Sequence, residues 1–163
     1  MARRYVVGVG ADGLGAELKN LIRDRLRDHP RVAEVVDFGV GDPSDSCEYP
    51  RVGIQVAEAV ASGAIDRAVL VCGTGIGMAI SANKVPGVRA TVAYDPYSVE
   101  RSVLSNNCQV LCLGARVVGP ELAWSVVRQW LTYEFDPGSP SAHKVQLICD
   151  YEQGHLTKPG GDS

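Results

Sequence analysis

No apolar run in this 163-residue chain approaches the roughly 18–20 residues that a membrane-spanning helix needs. The amino terminus offers no secretory core either. Met1-Ala2-Arg3-Arg4 passes at once into Tyr5-Val6-Val7-Gly8-Val9-Gly10, which is too short and too glycine-rich for one. Positive charge is not in excess: sixteen Lys and Arg stand against nineteen Asp and Glu, a formal charge of −3. The chain as a whole therefore has no pull on nucleic acid or an anionic membrane surface. No CxxC pair occurs, and the five cysteines (Cys47, Cys72, Cys108, Cys112 and Cys149) are odd in number, so neither a disulfide framework nor a metal-ligand spacing is present. Internal repeats are missing too. These absences predict a soluble, cytoplasmic domain with free thiols and no nucleic-acid or membrane partner.

What is present suits one globular domain. Hydrophobic residues make up 45% and charged residues 21%, which excludes disorder for most of the chain, and the length suffices to bury a core without disulfide staples. Most of the cysteines read as small buried hydrophobes: Cys108 and Cys112 lie in an apolar run, and Cys149 follows Leu147 and Ile148.

Apolar runs alternate with helical patterns along the chain. Strands are expected at Arg4–Val9, Val32–Phe38, Arg67–Cys72, Val88–Ala93 and Gln109–Leu113. Between them, Leu18, Leu21, Ile22 and Leu26 form the stripe of an amphipathic helix, and Pro50, Pro96 and Pro120 each suit the first turn of another. A short helix is expected from the Gly75 region to Asn83. In the last sheet-covering helix, Trp124 and Trp130 fall at core or subunit-interface positions. This order predicts an α/β fold, a parallel sheet with helices on both faces and ligands bound beyond the carboxyl ends of the strands. Residues 1–153 form the single domain. Within it, 136–153 is a Pro/Gly/Ser linker and a carboxyl-terminal helix able to reach a partner subunit, and 154–163 is a frayed tail.

Two glycine clusters follow strands. Gly8-Val9-Gly10-Ala11-Asp12-Gly13 fits G-x-G-x-x-G, with Asp37 about where a ribose-binding acid would stand. Against a dinucleotide site, the chain has no second domain to hold a hydride-transfer substrate. The second cluster, Val71-Cys72-Gly73-Thr74-Gly75-Ile76-Gly77-Met78, puts a thiol at a strand end before a glycine loop and a helix start. Backbone N–H groups there favour negative charge and enrich a thiolate. A thiolate beside amide donors is what proton abstraction next to a carbonyl requires. The same residues also suit a buried strand terminus followed by a tight turn. Tyr94-Asp95-Pro96-Tyr97-Ser98, after the fourth strand, either lines the same cleft or packs Tyr97 at a helix start.

Cys72-Gly73-Thr74-Gly75-Ile76-Gly77-Met78, then Ala82-Asn83-Lys84-Val85-Pro86-Gly87-Val88-Arg89-Ala90, then Leu113-Gly114-Ala115-Arg116-Val117-Val118-Gly119-Pro120-Glu121-Leu122-Ala123 resembles ribose-5-phosphate isomerase B, in a group that includes the galactose-6-phosphate isomerase subunits. The likeness runs from the first strand to about Val145. It implies a Rossmann-like α/β/α sandwich with a five-stranded parallel sheet and no metal or organic cofactor. It further implies a homodimer, with a dimer of dimers or a heteromer with a paralogue as variants, and active sites between subunits. The implied reaction is aldose–ketose isomerisation of a phosphosugar through a cis-enediolate. Cys72 would move the carbon-bound proton and Thr74 the hydroxyl proton, while Gly73, Gly75 and Gly77 would supply backbone donors. Asp12 and Tyr49 would hold sugar hydroxyls, Asn106 would come from the partner subunit, and Arg116 and Lys144 would take the phosphate.

Departures from the family pattern sit at the substrate end. Asp-His after the first strand appears as Asp12-Gly13, and His-Asn-Asp before the fifth as Ser105-Asn106-Asn107, which removes the histidine usually assigned to ring opening. Gly-Gly-Arg-His-x-x-Arg-Val appears as Pro137-Gly138-Ser139-Pro140-Ser141-Ala142-His143-Lys144-Val145, so one phosphate arginine is gone and the other is lysine, a point charge in place of a fork. His143 could compensate if the loop is shifted. A missing acid–base group costs about 10²–10⁴ in rate. The expectation is therefore isomerase or epimerase chemistry on an altered substrate: another phosphosugar, an open-chain one such as a tetrose phosphate, or a non-phosphorylated sugar. A catalytically silent sugar-phosphate-binding subunit is the reading from another class.

Overall fold

The computed structural model describes residues 2–155; the expected tail beyond 155 lies outside them. The elements are β1 (Tyr5–Ala11), a single 3-10 turn (Gly13–Gly15), α1 (Ala16–Arg27), β2 (Val32–Asp37), α2 (Tyr49–Ala61), β3 (Arg67–Cys72), α3 (Ile76–Ala82), β4 (Ala90–Val92), α4 (Pro96–Leu104), β5 (Val110–Gly114), α5 (Pro120–Trp130) and α6 (Ala142–Glu152). The five strands pair in parallel in the order β2-β1-β3-β5-β4, the expected Rossmann-like α/β arrangement. No helix among the described residues is long and apolar enough to cross a membrane.

Side-chain alternation builds the layers. On one face Val7, Val9, Val69, Val71, Leu111 and Leu113 pack with Ile22 and Leu26 of α1, Val99 of α4, and Val127 and Trp130 of α5. On the other, Ala68, Leu70, Cys72, Val110 and Cys112 meet Val52, Val56 and Val60 of α2 and Met78 of α3. Gly8 and Gly10 belong to this second interface. A Cβ on Gly8 would stand 2.5 Å from Ile65 Cδ1, and one on Gly10 would stand 2.8 Å from Val52 Cγ1. Their small size admits the α2 layer, not a dinucleotide.

Asp37 has no room for a ribose either. Its carboxylate accepts from Lys19 Nζ at 2.8 and 3.0 Å, Arg23 Nη1 at 2.9 Å and the Gly39 N–H at 2.9 Å. Burial works to raise the Asp37 pKa, but the hydrogen bonds from Lys19, Arg23 and Gly39 together hold it below the ordinary carboxylate value. Lys19 is buried, so removing its partner strands a cation in the α1 layer. Because Asp37 is partly solvated, Asp37→Ala is expected to destabilise the fold by about 2 kcal/mol, less than a fully buried pair would. A depressed folded-state pKa contributes stability that is complete above about pH 4 and fades as pH falls through the folded value. Urea unfolding across pH should therefore show the gap between wild type and variant closing on the acid side.

β4 is shorter than the expected Val88–Ala93. It is an edge strand paired only with β5, and side chains occupy the backbone groups at its start. Arg89 N–H donates to Gln109 Oε1 at 2.8 Å, and Ala90 N–H to Asn83 Oδ1 at 2.8 Å. Trp130 is fully buried, as its helical spacing predicts, and Trp124 is partly buried with its ring edge-on to His29. Cys108 and Cys112 are buried, whereas Cys47 and Cys149 are partly exposed, so the buried reading of Cys149 is corrected. Burial pushes the Cys108 thiol up to about 11 and that of Cys112 well above its ordinary value.

Candidate active site

The chain leaves β1 toward β2 on one side and returns to β3 on the other. A crevice therefore opens between the carboxyl ends of β1 and β3, the switch point of the sheet. Asp12 follows β1 and Cys72 ends β3, so both lie at its mouth. Cys72 is only 4% exposed, yet it borders an open cleft of about 450 Å³ shared with Asp12, Tyr49, Gly73, Thr74, Gly77 and Arg116. Leu14, Ile76 and Ile80 complete the wall.

The glycine loop is held from beneath. Ala115 N–H donates to the Cys72 carbonyl at 2.8 Å and Arg116 N–H to that of Gly73 at 3.0 Å. Tyr94 donates its hydroxyl to the Thr74 carbonyl at 3.1 Å and accepts the Gly114 N–H at 2.8 Å. Burial raises the Tyr94 pKa, which keeps that hydroxyl a donor. Gly75, at φ +79°, packs against the Leu113 backbone, and its N–H donates to Cys72 Sγ at 3.1 Å. That hydrogen bond fixes the sulfur at the edge of the cleft. Ile76 N–H donates to Thr74 Oγ1 at 3.3 Å. Among the described residues the N–H groups of Gly73, Thr74 and Gly77 have no acceptor and remain available to a ligand.

The Tyr49 ring lies on Gly77, where a Cβ would come within 2.5 Å of Tyr49 Cε2. Asp12 Oδ1 accepts the Gly15 N–H at 3.0 Å, which caps the 3-10 turn. The Arg116 guanidinium makes no hydrogen bond or ion pair among the described residues. Four expected site residues do not line this cleft within their own chain. Gly75 lies beneath it, and its N–H is taken by Cys72 Sγ, so the expected backbone donor to the substrate is not free there. Asn106 borders a different cavity, beside Arg89 and Arg101. His143 and Lys144 are exposed in the first turn of α6. Instead, α6 lies along its own chain, where Glu152 accepts the Gly87 N–H at 2.7 Å. Tyr97 is 72% exposed, so it neither lines the cleft nor packs at the start of α4. Tyr94, three residues earlier, is the residue in that segment that matters to the loop, and its place at the end of β4 was the available signal. No described histidine lines the cleft, and no group of three or more His, Cys, Asp or Glu among the described residues could hold a metal ion.

Comparison with known proteins agrees with this geometry. The family model for ribose/galactose isomerase matches residues 7–148. The chain is 56% identical over 152 residues to D-erythrulose-4-phosphate isomerase 2 of Mycolicibacterium smegmatis, covering 93% of this chain and 99% of that one. It is 44% identical over 146 residues to D-erythrulose-4-phosphate isomerase of Pectobacterium atrosepticum, covering 90% and 94%. Among solved structures, ribose-5-phosphate isomerase B of Clostridium thermocellum superposes with a TM-score of 0.85 at 43% identity, covering 91% of this chain and 98% of that one. With its glycine loop and cysteine at the switch point of a five-stranded parallel sheet, the chain belongs to the ribose/galactose isomerase family of sugar-phosphate isomerases.

Proposed function

We propose that the protein interconverts D-erythrulose 4-phosphate and D-erythrose 4-phosphate through a cis-enediolate, with Cys72 as the base. The carrying observation is the sulfur of Cys72, held by the Gly75 N–H at the edge of a cleft that also offers free amide donors. The Cys72 thiolate takes a proton from C1 of the ketose. The electron pair moves into a C1–C2 double bond, and charge collects on the C2 oxygen, where the loop N–H groups meet it. Return of the proton to C2 gives the aldose. Thr74 carries the hydroxyl proton between the C1 and C2 oxygens, so no external oxidant or reductant is needed. Asp12 and Tyr49 hold the sugar hydroxyls, and Arg116 is the cation inside the cleft. In a homodimer, a second copy brings Asn106 to this cleft, with Ser105 standing where the family pattern has its ring-opening histidine, and Lys144 approaches from the same neighbour.

The four-carbon substrate follows from what the cleft lacks. A pentose phosphate closes into a furanose, and opening it requires a proton carrier, yet no described histidine lines the cleft. In a tetrose 4-phosphate the C4 oxygen carries the phosphate and the C3 hydroxyl could close only a four-membered ring. Such a sugar stays open and needs no ring-opening group. Two relatives bearing the name D-erythrulose-4-phosphate isomerase support the reading. Steady-state comparison of D-erythrulose 4-phosphate with ribose 5-phosphate tests it. The expected kcat/KM ratio favours the tetrose by about 10² or more, the worth of one acid–base group. A ratio near unity, or one favouring ribose 5-phosphate, would remove the four-carbon reading and leave the sugar-phosphate isomerase class intact.

A further inference from the structure

Gly13 has a neighbour that its lack of a side chain explains. A Cβ there would stand 2.7 Å from the carbonyl oxygens of both Pro43 and Asp45, backbone atoms of the loop between β2 and α2. Asp12 and Leu14, on either side of it, border the Cys72 cleft, whereas the open side of Gly13 is turned to that loop. The loop is first tied to the end of β1 and to α1. Ala11 N–H donates to the Gly39 carbonyl at 2.8 Å, Val40 N–H to that of Ala11 at 2.7 Å, and Asn20 Nδ2 to that of Gly41 at 2.9 Å. From Asp42 to Ser46 it is exposed and holds itself by local turns. Asp42 Oδ1 accepts the Ser44 N–H at 2.8 Å and the Ser44 hydroxyl at 2.7 Å, and Asp45 Oδ1 accepts the Cys47 N–H at 2.8 Å. Besides the packing of Cys47 on the α2 layer, the contact with Gly13 is what seats this stretch.

Two residues beyond Cys47 the loop delivers Tyr49, whose ring lies on Gly77 in the cleft. A side chain at position 13 must displace something. β1 is held by strands on both sides and Asp12 by the Gly15 N–H, so the exposed loop is the part that gives. We propose that Gly13 is a positioning residue for sugar binding: the Pro43–Asp45 backbone rests where a side chain would stand, and that seat sets where Tyr49 meets the sugar. This rests on the reading above, in which Tyr49 holds a sugar hydroxyl. The glycine standing where the family pattern has histidine is then a fitted part of the loop, and a histidine restored there has no room.

Gly13→Ala is expected to raise KM about tenfold, the worth of one hydrogen bond between neutral partners, while kcat stays within about threefold because Cys72 and its glycine loop are untouched. Gly41→Ala, in the same loop with nothing within 4 Å of the added methyl, should keep both constants. In a Tyr49→Phe background the added effect of Gly13→Ala should shrink to less than about threefold, since the two changes remove one interaction. Asp42→Ala loosens the loop from its exposed side without threatening the fold, and should raise KM in the same direction. Gly13→His should lose affinity as Gly13→Ala does and gain no turnover of ribose 5-phosphate. An unchanged KM in Gly13→Ala or in Asp42→Ala, a full tenfold effect surviving in Tyr49→Phe, or ribose 5-phosphate turnover gained by Gly13→His would each overturn the proposal. The KM ratios are read on whichever of D-erythrulose 4-phosphate and ribose 5-phosphate the wild type turns over, so a preference for the pentose removes the four-carbon reading and leaves this one standing. Calorimetric titration of D-erythrulose 4-phosphate in a Cys72→Ser background reads the same affinity ratio without turnover.

Discussion

Cys72→Ser is expected to lower kcat by about 10³–10⁴, with KM for the sugar phosphate changing by no more than about threefold. Serine oxygen can still accept the Gly75 N–H that now reaches Cys72 Sγ at 3.1 Å, so the loop keeps its anchor. What disappears is an ionisable acid: a serine hydroxyl does not supply an anionic base near neutral pH, whereas a thiol does. The melting temperature should move little, which separates a chemical defect from a folding one. A variant within tenfold of wild-type kcat would mean that Cys72 is not the base.

Gly114→Ala should be nearly as damaging by another route. A Cβ at this position would lie 2.7 Å from both Cα and C of Thr74, backbone atoms that cannot swing aside. Gly114 also donates its N–H to the Tyr94 hydroxyl, which in turn fixes the Thr74 carbonyl. Pushing the loop off β5 displaces Thr74 and the amide donors together. Misplacement by about 1 Å costs roughly 10² in rate, and overpacking of this kind costs about 1–3 kcal/mol in stability. Gly119→Ala, where nothing lies within 4 Å of the added methyl, serves as the control with near-normal kinetics. Equal kinetics for the two variants would show that the loop does not depend on its seat against β5.

Much of this was legible in the sequence, for identifiable reasons. β3 occupies Arg67–Cys72 as expected, because a central strand buried on both faces is written as an uninterrupted apolar run. The three prolines fall in the first turns of α2, α4 and α5, where a missing N–H costs nothing. Cys72 and its glycine loop were legible because adjacency in sequence fixed their adjacency in space. What the sequence did not show has the opposite cause. The G-x-G-x-x-G spacing of β1, already read against a dinucleotide site, owes its small residues to Ile65 and Val52, more than forty positions away. Tyr94 was passed over for Tyr97 because only the sheet brings the end of β4 beside Thr74. The cavity beside Asn106 was not anticipated, since Arg89 and Arg101 come together only when α4 folds back on the edge strand.

The most direct measurement of the central claim is isotope exchange at carbon. Purified protein incubated in deuterium oxide with D-erythrulose 4-phosphate should place solvent deuterium at the reacting carbons, read by proton NMR as loss of the C1 and C2 signals. In Cys72→Ser that exchange should fall in step with turnover. Exchange at the wild-type rate in Cys72→Ser would contradict the account, because some group other than this sulfur would then be removing the proton.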